Sequence, residues 1–132
     1  MFQNCTSLSS TPELPATMLA NDCYYEMFRN CTSLSSASDL PATTLVSECY
    51  RAMFGDCSSL IETPHILATS TASRCCQDMF INCSSLRKAH NLLANVVKNN
   101  SYDSMFAFCR NLIYPPKILA NTIESERLYA HV

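Results

Sequence analysis

Apolar residues along the chain fall in one order that returns at a fixed interval. A Met-Phe pair opens each block, a Cys follows three residues after the Phe, and a Leu follows three after that. The blocks read MFQNCTSL at 1–8, MFRNCTSL at 27–34, MFGDCSSL at 53–60, MFINCSSL at 79–86 and MFAFCRNL at 105–112. The pairs start at Met1, Met27, Met53, Met79 and Met105, always 26 residues apart and with no insertion. A fixed period of about 20–50 residues marks an array in which each unit buries its apolar face against the next. The chain therefore reads as one array of five copies, 1–26, 27–52, 53–78, 79–104 and 105–130. Positions are counted below from the Met of each copy, so Cys31 and Cys57 both hold position 5.

Within a copy the pattern predicts a strand, a bend, a short helix and a turn. Residues 33–41 are small and polar around Leu34 and Leu40, which suits a short strand. Pro12, Pro64 and Pro116 interrupt the equivalent stretch, and proline cannot donate to a ladder, so the strand is limited to about three to five residues. Ala16, Ala42, Ala68, Ala94 and Ala120 then mark a crowded bend. Thr17, Thr43, Thr69, Asn95 and Asn121 follow as helix N-caps, with Glu124 completing a capping box on Asn121. Leu45, Cys49 and Met53 recur at i, i+4 and i+8, with Tyr50 and Phe54 beside them, as on the apolar stripe of a helix. Asn4, Asn30, Asp56 and Asn82 stand where a left-handed residue would stop it. A strand-plus-helix unit of this length fits a leucine-rich-repeat horseshoe better than an all-helical array.

The blocks MF-x-N-C-T-S-L, P-x-L-P-A-T-x-L and C-Y-x-x-MF resemble the BspA-like leucine-rich repeats of bacterial and protist surface proteins. The likeness covers nearly the whole chain and is closest in TPELPATMLANDCYYEMF and ASDLPATTLVSECYRAMF. Later copies depart from it, with His65-Ile66-Leu67-Ala68 in place of the L-P-A core, Ser101 for the second Cys and Arg127-Leu128 for Cys-Tyr. The resemblance implies an α/β repeat solenoid, a right-handed coil with short parallel strands and short helices. It also implies a cell-surface or secreted setting and a role in adhesion or partner binding.

Composition narrows the function by exclusion. Net charge is −2, which provides no footprint for nucleic acid. No apolar run approaches the length of a membrane span. The chain opens on a repeat block, and is expected to carry no signal peptide and to be a fragment of a longer array. Nine cysteines follow the repeat: Cys5, Cys31, Cys57, Cys83 and Cys109 at position 5, Cys23, Cys49 and Cys75 at position 23, and Cys76 off the lattice. They read as small buried hydrophobes rather than a disulfide ladder, with Cys76 the most accessible. The gap from Cys23 to Cys31 is unlike the close pairing of structural zinc sites. With only His65, His90 and His131 as bases and no single cysteine set apart, no catalytic residue, metal site or cofactor is expected. Three of the N-glycosylation patterns, at Asn4, Asn30 and Asn82, are by-products of the repeat.

What remains is a surface. Strand alternation sets position 13 (Glu13, Asp39, His65, Asn91 and Lys117) opposite the buried Leu14, Leu40, Ile66, Leu92 and Ile118. Ser9, Thr11, Ile61, Thr63, Arg87 and Ile113 are expected to flank this line as a binding face running from acidic to basic. The resulting expectation is a non-catalytic interaction module whose partner is a protein or host-surface ligand. A purely structural spacer and a cysteine-dependent enzyme or redox protein are the alternatives. Phe2, Leu8 and Leu14 form an apolar edge through which the chain could self-associate, while Glu124, Glu126 and Arg127 look like a polar cap.

Overall fold

The computed structural model describes residues 2–123; the capping box at Glu124, the polar cap through Arg127, and His131 lie outside them. Backbone hydrogen bonds join residues about one period apart along the chain. From position 22 to position 4 they alternate in a strict way. Tyr24, Glu26, Phe28 and Asn30 donate their N–H groups to the carbonyls of Cys49, Arg51, Met53 and Gly55 in the next copy, at 2.8–3.0 Å. The residues between them, Tyr25, Met27, Arg29 and Cys31, donate three residues back, to Asp22, Tyr24, Glu26 and Phe28, at 3.0–3.2 Å. The same two sets recur one copy later, where Tyr50, Ala52, Phe54 and Asp56 bond to Cys75, Gln77, Met79 and Ile81. Each donor in this segment thus has an acceptor, which buried backbone requires.

This alternation is a run of overlapping turns, and it replaces the expected helices. No helix occurs among the described residues. Every fourth residue is left-handed instead: Glu48, Ala52 and Asp56 have φ of 57°, 50° and 60°, and Arg74, Asp78 and Asn82 repeat them. Such a residue at the third position of a turn is what a type II turn requires. The physical obstacle to a helix is spacing. Phe2, Phe28, Phe54, Phe80 and Phe106 stack with ring centroids 5.5 Å apart from each copy to the next. Helices packed side by side need about 8–10 Å. The asparagines expected to end a helix are left-handed as anticipated, with φ of 62° at Asn30, but they end nothing.

The strand segment is equally spare. Parallel bridges join Ser10 to Ser36, Glu62 to Lys88 and Lys88 to Tyr114 at position 10, and Leu40 to Ile66 and Leu92 to Ile118 at position 14. Strand β1 (Val96–Val97) pairs in parallel with β2 (Thr122–Ile123), Val96 opposite Thr122. These are shorter than the expected three to five residues, because proline or a side-chain acceptor interrupts each ladder between bridges.

Side chains from both segments fill one core. Leu34, Leu60 and Leu86 are fully buried in the predicted column, and Leu8 and Leu112 pack against it. Leu40, Ile66, Leu92, Ala42, Ala68 and Ala94 line the strand side. Burying a Leu or Phe contributes about 1.5–3 kcal/mol, so these columns carry much of the stability.

The junctions also match at positions 11 and 12. Thr11 Oγ1 accepts the N–H of Ser38 at 2.8 Å, and Thr63 Oγ1 accepts that of His90 at 3.0 Å. Where the following copy has Pro64 or Pro116, which has no N–H, the copy before has Ala37 or Ala89. A threonine acceptor stands only where a donor needs one.

Candidate functional site

The strand segment presents the expected line. Glu13, Asp39, His65, Asn91 and Lys117 are all exposed, and the next residue inward is buried at Leu40, Ile66 and Leu92 and partly buried at Leu14 and Ile118. Ser9, Ile61, Arg87 and Ile113 are exposed beside it. Position 11 departs from expectation. Thr63 is buried and Thr11 half-buried, because their hydroxyls turn inward to the copy junction rather than outward to a ligand.

The line is organised by its own side chains. Asp39 Oδ1 accepts the backbone N–H of His65 at 2.9 Å and lies 3.1 Å from His65 Nδ1. Those bonds, the backbone one first, hold the Asp39 carboxyl below its usual range. Asn91 Oδ1 accepts the N–H of Lys117 at 3.0 Å in the same way. A short polar side chain at position 13 therefore secures the backbone of the next copy. The His65 ring stacks on His90 with centroids 3.6 Å apart, and Glu62 Oε1 lies 2.9 Å from His90 Nε2 and 3.5 Å from Lys88 Nζ. His90, Glu62 and Lys88 escape a reading by repeat position alone. His90 lies one residue short of the lattice mate of His65, while Glu62 and Lys88 are 26 apart and so were there to be paired.

Shallow grooves run across this face. One of about 500 Å³ lies between Glu13, Pro15, Asp39 and Pro41. A second of about 400 Å³ is lined by Ser36, Asp39, Glu62, His65 and His90. A third of about 500 Å³ lies between Ile61, Arg87, Arg110 and Ile113. Among the described residues no group of three or more His, Cys, Asp or Glu side chains is placed to hold a metal ion. No helix among them is long and apolar enough to cross a membrane.

Seven of the nine cysteines are buried, Cys5 is half-buried and Cys23 is exposed. Cys5, Cys23, Cys31, Cys49, Cys57, Cys83 and Cys109 are in no disulfide. Cys31, Cys57, Cys83 and Cys109 donate through Sγ to the carbonyls of Phe2, Phe28, Phe54 and Phe80 in the copy before, at 3.0–3.1 Å. Burial pushes the Cys49 and Cys57 thiols up to about 12 and Cys109 to about 11. The thiolate is the reactive form, so these groups are poor nucleophiles. Cys76, expected to be the most accessible, is fully buried, and Cys23 is the exposed one. Cys76 is enclosed because position 24 faces the core, as the buried Tyr50 and Tyr102 of the flanking copies show. Ser101 shows what position 23 requires, since its one hydroxyl proton has two carbonyl acceptors within reach, Lys98 O at 2.8 Å and Ala72 O at 3.0 Å. No family model, no curated protein and no solved structure matches the chain.

Proposed function

We propose that the chain is a leucine-rich-repeat-like solenoid of the BspA-like kind, one array of five copies, acting as a non-catalytic interaction module of a cell-surface or secreted protein. The observation that carries this reading is the contrast between its two sets of reactive-looking residues. Most of the thiols are buried, and burial raises the pKa of Cys49, Cys57 and Cys109, whereas the varied, charged and aliphatic residues are gathered on one exposed line. The interior repeats closely from copy to copy, while position 13 changes from Glu to Asp, His, Asn and Lys. Extended repeat surfaces of this kind bind partners through many shallow contacts. A spacer without a ligand would leave that line without function, and the exposed Ile61 and Ile113 without a reason to be aliphatic.

The test presents the immobilised chain to panels of extracellular proteins and glycans. The reading expects at least one ligand whose binding weakens in a Glu13→Lys/Lys117→Glu variant, more so at low salt, with the unfolding midpoint unchanged. Gln3→Glu, on the turn segment, should leave that binding intact. Ligand binding that ignores the strand-face changes at any salt contradicts the assignment.

A further inference from the structure

We propose that the strand face is a homophilic contact, in which two copies of the chain meet face to face and antiparallel. The inference rests on reading that face as the binding surface, and it names the partner as a second copy. Positions 9, 10 and 13 carry six formal charges, all on exposed residues. Glu13, Asp39 and Glu62 lie in the first three copies, and Arg87, Lys88 and Lys117 in the last two. No opposite charge interrupts either set at those positions. A uniformly acidic or basic partner would be drawn to one half and repelled by the other. The chain itself, turned end for end, has the matching order. Glu13 then meets Lys117 of the second copy, the repeat with Asp39 faces the one with Arg87 and Lys88, and the middle repeats meet each other, each Glu62 there paired with its own Lys88. Such a contact is self-complementary, as a two-fold interface requires.

Among the described residues the free chain leaves three of these six charges, Glu13, Arg87 and Lys117, without an ion pair, and Glu62–Lys88 at 3.5 Å is a solvent-exposed contact of little strength. Aliphatic side chains flank the charges. Ile61 is 47% exposed and Ile113 54%, at a position that the first two copies fill with Ser9 and Ser35. Leu67 and Leu93 are exposed on the other side of the line. With strands about 4.8 Å apart and about 3.3 Å per residue, the face spans roughly 20 Å by 23 Å. Two such faces bury roughly 900 Å² in all, at the low end for a specific contact, so the association is weak and sensitive to salt.

Sedimentation velocity on the whole chain tests this with three samples: wild type, Glu13→Lys, and Arg87→Glu/Lys117→Glu. Thermal unfolding of each confirms that all three fold alike. The proposal expects wild-type dimers at micromolar to millimolar concentration that weaken about tenfold or more between roughly 50 and 500 mM salt. Each variant alone should dimerise about tenfold less well or worse, and an equimolar mixture of the two should recover dimers, since their faces are again complementary. A monomeric wild type overturns the proposal; if ligand binding still falls with Glu13→Lys/Lys117→Glu, the strand-face reading survives it. Association equal in wild type and variants places the contact elsewhere, for instance at the Phe2, Leu8 and Leu14 edge, and also overturns it. So does a mixture that fails to recover.

Discussion

At the scale of single residues, cysteine at position 5 meets two needs that no other side chain meets as well. It is small enough for a column repeated at every copy, and its thiol supplies a weak donor to a Phe carbonyl at 3.0–3.1 Å. That bond exists only while the thiol is protonated. Burial raises the folded-state pKa of Cys57 to about 12 and of Cys109 to about 11, above the 8.5 or so of a thiol in an unfolded chain. The folded chain thus holds protons that the unfolded chain releases. The stability from these groups is complete below about pH 8.5 and is lost as pH rises toward 12. Urea unfolding followed between pH 7 and pH 11 should show the midpoint falling above about pH 9, and Cys57→Ser should flatten the decline. A midpoint that holds level through pH 11 would show that these thiols ionise as freely folded as unfolded.

At the scale of the element, the turn segment explains both what could be read from the chain and what could not. Left-handed residues come every fourth residue, so the backbone repeats every four residues. Apolar side chains at Leu45, Cys49, Met53 and Cys57 point inward at strict intervals of four, and a helical stripe of the same length is nearly indistinguishable from that. Two signals favoured turns: the interval never shortens to three, and Glu48, Ala52 and Asp56 keep the same step. The period, the Phe and Leu columns, the buried alanines and the exposed position 13 were legible because each is a property of one repeat position. The Thr63–His90 bond and the His65–His90 stack were not, because they join different positions of neighbouring copies. The junction rule gives a direct check. Thr63→Ala should cost about 1–3 kcal/mol, since it leaves the His90 N–H without its acceptor. Adding His90→Pro, which recreates the Ala37–Pro64 junction, should cost about 1 kcal/mol less than the two single changes summed. Simple additivity in denaturant unfolding would show that the hydroxyl is not matched to the donor.

At the scale of the whole molecule, stability resides in contacts between neighbouring copies, and function is proposed for the line those contacts leave exposed. Leu60 sits fully buried between the columns' neighbours Leu34 and Leu86, so Leu60→Ala should cost about 2–5 kcal/mol by loosening both junctions at once. An unfolding free energy within a few tenths of a kcal/mol of wild type would mean the leucines do not stack. The charge order from Glu13 to Lys117 depends on the same stacking, because only copies held in register draw those side chains into a line. All of this follows from one backbone arrangement, and NMR can observe it directly through scalar couplings across hydrogen bonds in the labelled chain. The account predicts couplings from the amide nitrogens of Phe28, Ala52 and Phe54 to the carbonyl carbons of Met53, Gln77 and Met79, 25 residues ahead. It predicts couplings from Met53 and Gly55 to Tyr50 and Ala52, three residues back. Couplings four residues back across residues 45–54, with none to the next copy, would establish a helix there and contradict the stacked-turn architecture.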